Sequence, residues 1–418
     1  MTTVTPKRRT ATLALLSLVA IVSYVDRQVF TLFQDDIKAE LGLTDGQLGM
    51  LTGLSFALFF TIAAFPIARY ADRGDRRLTI AVCVTVWSIA TALCGLANSY
   101  WQMLLARIGL AAGEAGAAPA SNSLLTEIYP ADRRTTVISI LLAANAVGIS
   151  GGLALGGWLS NYLGWREVFL VLGLPGVLLG LTVWLVCAEP RRDGGAASTQ
   201  PVPIPIGEAI RTIAGNVSLR WVALMLSMVP MAGLAFILWG PSFFLRVHGM
   251  SKAETGLWLG GAMAAGLVLG NLFAGWFSDR FGQANPRFNG WFAGLGLLAA
   301  FPFGVTFALT SNAQIALACF VAVKFMMTLH LGPIMALSFA QVPVAMRATL
   351  SATITMMIGL AGTGAGGTIA GFVSQAFEPS YGDRSLQPTL ALLSGCLVVG
   401  GIAAIMAGRT AKPLPDRT

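Results

Sequence analysis

The chain is 418 residues long, 55% hydrophobic and only 11% charged. A soluble domain carries roughly 25% charge, so this composition excludes an ordinary soluble enzyme and points to a chain that lies almost wholly in a bilayer. The formal net charge of +8 is no nucleic-acid signal, because the basic residues gather in loops at one predicted face.

A membrane-crossing helix needs about 20 apolar residues. In chain order the pattern predicts twelve, near residues 11–34, 46–69, 78–98, 101–129, 135–160 and 166–187, then 219–245, 254–277, 288–309, 313–342, 347–376 and 387–408. Lys7, Arg8 and Arg9 before the first run are like the start of a signal peptide. The run is long enough to span, lacks a small-residue cleavage site and contains Asp26 and Arg27, so it reads as a retained helix. Loops are short except around 189–218, where Pro201 to Pro205 lead into an amphipathic stretch, Ile206 to Ile213. That composition suits a linker on the membrane surface. The predicted organisation is a six-helix bundle at 1–188, a linker at 189–218 and a second six-helix bundle at 219–418.

Counting Lys and Arg sets the orientation. With both termini inside, the outer loops hold only Lys38, Arg166, Arg246, Lys252 and Arg384, and the inner loops hold the bulk. The chain is therefore expected to sit in the cell (inner) membrane with cytoplasmic termini. The two halves also repeat. Pro119 to Thr135 aligns with Pro333 to Thr349, placing Arg133 on Arg347, and the register continues with Gly148, Gly152 and Gly157 on Gly362, Gly366 and Gly371. Ala68 to Arg73 likewise aligns with Gly275 to Arg280. One six-helix unit used twice is the layout of transporters with two parallel halves.

Charge inside the spans is where function is expected, because ionisable groups are expensive in lipid. The first span holds Tyr24-Val25-Asp26-Arg27-Gln28, and the fourth holds Arg107 and Glu114. Seven residues are two helical turns, which puts Arg107 and Glu114 on one face roughly 10 Å apart. Two acids and two bases make the set formally neutral. The tenth span has Lys324 with no acid in the second-half spans to pair with it, and His330 six residues deeper reads as a packed or cavity-edge side chain. In the seventh span Phe236, Trp239, Phe243 and Phe244 are candidate cavity walls. Cys83, Cys94, Cys187, Cys319 and Cys396 all lie in apolar runs without a CxxC pair, so inert thiols are expected rather than disulfides or a metal site.

Several motifs carry a family likeness. Ala68-Arg69-Tyr70-Ala71-Asp72-Arg73-Gly74-Asp75-Arg76-Arg77, and its repeat Gly275 to Gly282, resemble the cytoplasmic loop signature of the major facilitator superfamily, with Ala68 where glycine is usual. The resemblance implies a cytoplasmic gate built on Asp72, Arg73, Arg76, Asp279, Arg280, Arg133 and Arg347, in which an acid at a helix end caps a neighbouring helix and pairs with arginine. Gly148 to Gly157 resembles the fifth-helix signature of the same superfamily but has Leu153 where proline is usual. Small-residue helix packing is the preferred reading there, over any signal of export. The stretch Tyr24 to Gln28, with Ala106-Arg107-Ile108-Gly109 and Gly113-Glu114-Ala115 leading to Pro119, is similar to the spinster-like branch.

That likeness implies an all-α membrane protein of twelve transmembrane helices in two pseudo-symmetric bundles, with the first, fourth, seventh and tenth helices lining a cavity. It implies a proton-coupled secondary transporter of a lysolipid or sphingoid phosphate type substrate. Glu114 would then be the protonation switch, assisted by Asp26. Arg27 and Arg107 would hold an anionic headgroup or alternate between acid partners. Tyr24 and Glu114 join the substrate-site candidates, and so does Lys324, which reads equally as a cavity cation or as a lysine snorkelling to the interface. No cofactor is expected beyond the proton gradient, and the partners expected are the substrate, protons and the bilayer, with the chain a monomer. The alternatives are a proton symporter of small organic anions such as sugar acids, or a drug-type exporter. An enzyme would need a nucleophile–base pair or metal ligands clustered in the spans, and His330 has no acidic neighbour at helical spacing. No G-x-x-x-x-G-K-[ST] occurs, which excludes an ATP-driven pump in cis. A non-transporting receptor is left open by spacing alone.

Overall fold

The computed structural model describes residues 4–190, 206–281, 286–343 and 346–411. All regular structure among them is helical. In order the helices are α1 (Pro6–Leu41), α2 (Asp45–Thr52), α3 (Leu54–Arg73), α4 (Arg76–Gly95), α5 (Tyr100–Glu114), α6 (Ala117–Ile128), α7 (Arg134–Leu159), α8 (Trp165–Val186), α9 (Ile206–Gly215), α10 (Val217–His248), α11 (Lys252–Phe281), α12 (Pro286–Leu309), α13 (Ala313–Thr328), α14 (Leu331–Ala340), α15 (Arg347–Ile358), α16 (Gly367–Tyr381) and α17 (Leu386–Thr410). Among the described residues eleven helical segments are long and apolar enough to cross a membrane. The expected fourth span is the twelfth crossing, and it is split into α5 and α6, each too short alone.

The split has a local cause. Pro119 has no backbone N–H, so the carbonyl four residues earlier, on Ala115, loses its helical partner. The helix gives way there, between Glu114 and Ala117. The tenth span repeats the arrangement. Pro333 frees the carbonyl of Leu329, and α13 and α14 are separated at Leu329 and His330. The internal repeat is thus visible in the backbone as well as in the letters. Where α1 and α10 end, Gly42 and Gly249 adopt φ of 62° and 63°, the left-handed conformation that terminates a helix. The expected eleventh span contains a π-helical stretch, Gly359–Gly366, joining α15 to α16.

The chain forms two compact units. Unit 1 comprises Met1–Leu51, Ser55–Gln200 and Ser251–Gly260, and unit 2 comprises Thr52–Leu54, Pro201–Met250 and Gly261–Thr418. In unit 1, α4 packs along α8 and α5, and α1 packs along α7. The α1–α7 contact is made by glycine: a Cβ at Gly152 would fall 2.9 Å from Val25 Cα. The glycine run of the fifth span is therefore a packing surface that brings two backbones together. The core beneath it includes Trp87, Leu110, Leu124 and Val183, all fully buried.

In unit 2, α17 packs along α12 and α10. The four aromatics expected as cavity walls are core instead. Phe236, Trp239, Phe243 and Phe244 are fully buried. Phe307 meets Phe236 at 5.6 Å and Phe243 at 4.7 Å between ring centroids, and Trp239 Nε1 donates to the Gly367 carbonyl at 3.0 Å. Their periodicity showed a buried face, but not that other rings would fill the space in front of it. The five cysteines are free, four of them buried and Cys396 half-buried. The predicted linker segment 191–205 and the side chains of Asp72, Arg73 and Asp279 lie outside the described residues.

Candidate functional site: a charged cavity in unit 1

α1 carries Leu16, Val19, Ala20, Ser23, Tyr24 and Arg27 along one stripe, at alternating steps of three and one residues. That spacing keeps them on a single helical face for roughly 16 Å at 1.5 Å per residue. The stripe faces a cavity of about 200 Å³ lined by residues of unit 1. Glu114, Ala117, Ala118, Ser121 and Asn122 line it from α5 and α6, Ile138, Leu141, Leu142 and Asn145 from α7, Phe60 from α3 and Trp87 from α4. Charge lies at one end of the α1 stripe and apolar side chains at the other.

The charged end is an ion pair. Arg27 Nε donates to Glu114 Oε2 at 2.6 Å, and Arg27 Nη2 reaches the same carboxylate. A guanidinium bonded through two nitrogens to one carboxylate is a strong, directional contact. Glu114 is only 3% exposed. Its position follows from the Pro119 break, since it is the last residue of α5. Arg27 is also ringed by aromatic faces, with its guanidinium carbon 4.7 Å from the Phe56 centroid, 5.2 Å from Tyr24 and 5.5 Å from Phe60. Rings at these distances attract a cation through their negative faces.

The other two intramembrane charges do not join that pair. Asp26 points away from the cavity stripe, as its neighbour in a helix must, and is 1% exposed. It accepts a hydrogen bond from Thr91 Oγ1 of α4 at 3.2 Å, and its Oδ1 has no hydrogen-bond partner. Arg107, also 3% exposed, lies outside the cavity lining. Its guanidinium is stacked on Phe30 at 4.3 Å and Phe56 at 5.2 Å. Its Nε donates to the Leu51 carbonyl at 3.4 Å, and Nη1 has no hydrogen-bond partner. Leu51 is in the last turn of α2, where carbonyls lack helical partners and a cation is favoured. So the four charges of the first and fourth spans, which sequence reading treated as one neutral set, resolve into one ion pair and two separately housed groups.

The remaining expected residues divide similarly. Lys324 is buried in unit 2, its Nζ donating to the Gly233 carbonyl at 2.7 Å and lying 5.3 Å from the Phe320 centroid. His330 Nδ1 bonds the Met327 carbonyl one turn back, a packed histidine. Of the expected gate, Arg133 and Arg347 are exposed, whereas Arg76 is completely buried. Arg76 Nη2 meets Glu189 Oε1 at 2.7 Å and Nη1 meets Glu127 Oε2 at 2.6 Å. Its backbone N–H also donates to Glu189 Oε2 at 2.8 Å, placing a carboxylate at the N-terminus of α4. Arg76 is therefore an internal tie between α4, α6 and the residues after α8, and not a free loop charge.

Sequence reading missed Phe56, Phe60, Thr91, Asn122 and Asn145. Phe56 and Phe60 are four apart on α3, a pattern that marks one face but not what stands opposite.

These features have counterparts in known proteins. The family model of the Major Facilitator Superfamily matches residues 16–366. The chain belongs to the major facilitator superfamily. Among solved structures, this superfamily member is similar to a bacterial homologue of the human lysosomal transporter Spinster in an inward-facing, unoccupied conformation. The TM-score is 0.87 at 28% identity, covering 99% of this chain and 100% of that one. The chain is thus a spinster-like transporter of the superfamily, a multi-pass membrane protein that moves a small molecule. Its fold and its relatives are those of transporters, not enzymes. An "MFS-type efflux pump" of Mycolicibacterium smegmatis is 29% identical over 405 residues, 95% of this chain and 92% of that protein. A "D-galactonate transporter" of Escherichia coli O6:H1 is 25% identical over 292 residues, 65% of this chain and 67% of that protein.

Proposed function

We propose that this protein is a proton-coupled secondary transporter working by alternating access, and that its substrate is an amphipathic anion of the lysolipid or sphingoid phosphate type. The observation that carries the reading is the cavity of unit 1, with the Arg27–Glu114 pair at one end of the α1 stripe and Leu16, Val19, Ala20, Leu141 and Leu142 along its walls. A guanidinium already bound to a carboxylate is a poor anion receptor. Protonation of Glu114 removes its charge and releases Arg27 for a substrate phosphate or carboxylate. Deprotonation restores the pair and expels the anion. Asp26, with Oδ1 unbonded beside Thr91, is the assisting carboxylate. Arg76 and the exposed Arg133 and Arg347 act at the cytoplasmic side, both termini are cytoplasmic, and the working unit is a monomer in the cell membrane.

The second reading is a proton-coupled symporter of small organic anions. The name of the Escherichia coli relative supports it, and so do Ser121, Asn122 and Asn145 among the cavity-lining groups, which could bond a polyhydroxy acid. The name of the mycobacterial relative, an efflux pump, keeps outward transport as a third outcome. One experiment separates them. Purified protein in liposomes is offered a monoacyl glycerophosphate or D-galactonate under an imposed pH gradient. Pumping of the first supports the lipid reading; pumping of the second alone replaces it. Glu114→Gln and Asp26→Asn should abolish proton-driven uptake while leaving exchange at equal pH, and unchanged proton-driven uptake in both variants would refute the coupling role.

A further inference from the structure

Phe56 stands between the two arginines of unit 1. Its ring centroid is 4.7 Å from the Arg27 guanidinium carbon and 5.2 Å from that of Arg107. It is 4% exposed, and stacks on Phe60 at 6.0 Å between centroids. Phe60 in turn reaches Arg27, and Tyr24 covers the same guanidinium. Arg27 is therefore flanked by three rings and one carboxylate, with 26% of its side chain still exposed.

Those ring contacts matter most at one moment. While Glu114 is charged, the ion pair is the strongest hold on Arg27. Once Glu114 is neutral, a long flexible cation has lost its anchor. It would be drawn towards Asp26 on its own helix, the other carboxylate that acts on it. The rings do not titrate with Glu114, so their hold on Arg27 persists. One of them, Phe56, also touches the guanidinium of Arg107.

We propose that Phe56, with Phe60 and Tyr24, is the positioning element of the anion site: it holds the Arg27 guanidinium aimed into the cavity after Glu114 releases it. The inference rests on the proton-coupled anion reading above. The charged or titratable groups facing Arg27 among the described residues are Glu114 and Arg107 on α5 and Tyr24 and Asp26 on α1. Phe56 lies in the first turn of α3, just after the interruption between α2 and α3, so a shift of α3 moves the ring relative to both arginines.

The test uses purified full-length protein and one probe, a monoacyl glycerophosphate, with binding followed by microscale thermophoresis at pH 6 and pH 8. Wild-type protein should bind more tightly at pH 6, where Glu114 releases Arg27. Phe56→Leu should bind roughly tenfold more weakly at pH 6, a loss within the range of a desolvated cation–ring contact. At pH 8, where Glu114 retains the arginine, it should match wild type, so the pH dependence flattens. Phe56→Trp, which keeps a ring face, should preserve the wild-type slope. Phe60→Leu, further from Arg27, should show a smaller loss in the same direction. Equal weakening at both pH values, or wild-type affinity in Phe56→Leu at pH 6, would overturn the positioning role while leaving the anion site intact. Absence of any pH-dependent binding in wild-type protein would overturn the site reading itself, and the inference with it.

Discussion

Removing the Arg76 side chain should be among the most destabilising single changes available in unit 1. The guanidinium is completely buried, and so is its partner Glu189, whose side chain is 1% exposed. In Arg76→Met the aliphatic volume is roughly kept, but Glu189 is left as a buried carboxylate with no side-chain cation from Arg76. Breaking a buried pair by deleting one partner costs roughly 3–5 kcal/mol. A domain of this size shifts its Tm by about 2–4 °C per kcal/mol, so a fall of roughly 10 °C is expected. The second partner should matter less. Glu127 is 22% exposed and partly solvated, so Glu127→Gln should cost about 1 kcal/mol or less. The double variant Arg76→Met/Glu189→Gln should recover most of the loss, because the buried carboxylate charge is gone while a polar side chain can still accept from the backbone N–H of residue 76. Thermal unfolding of the detergent-purified protein, read by intrinsic fluorescence, compares these three variants with wild type. If Arg76→Met unfolds within about 2 °C of wild type, or the double variant is no better than Arg76→Met, the pair does not carry this energy.

Two further outcomes follow from the packing. Gly152→Leu should fail to accumulate as folded protein or lose at least 3 kcal/mol, more than the roughly 1–3 kcal/mol usual for overpacking, because its Cβ would meet Val25 Cα at 2.9 Å and backbones cannot yield as side chains do. Gly151→Leu on the same helix, where a Cβ meets nothing within 4 Å, is the control and should unfold like wild type in a thermal melt. Lys324→Met should leave the Tm unchanged or raise it, because among the described residues the lysine gains only the Gly233 carbonyl and ring faces for the cost of burying an ammonium. If the Tm instead falls by more than about 5 °C, the lysine is a structural tie. If it holds but transport is lost, the charge serves the transport cycle.

The spans, their order and the repeat were legible because lipid imposes a length and a polarity on every crossing segment. Pro119 and Pro333 even carried the interruption of the fourth and tenth spans, through the carbonyl that a missing N–H leaves free. Asp26, Arg27, Arg107 and Glu114 stood out for the same reason, as charges where charge is expensive. Their pairing was a different matter. Arg27 and Glu114 lie 87 positions apart, and nothing in their local spacing distinguishes that contact from Arg107 meeting Asp26. Arg76 read as a loop charge because its two carboxylates come from α6 and from beyond α8, 51 and 113 positions away. Phe56 was one aromatic among many until the rotation of α3 turned it between two guanidiniums. The sequence by itself determined which residues must cross the membrane and which charges needed partners, since both follow from transfer energies that act locally. The tertiary structure alone decided which partner each charge took, because that depends on helix rotation and depth, and packing against distant segments sets both.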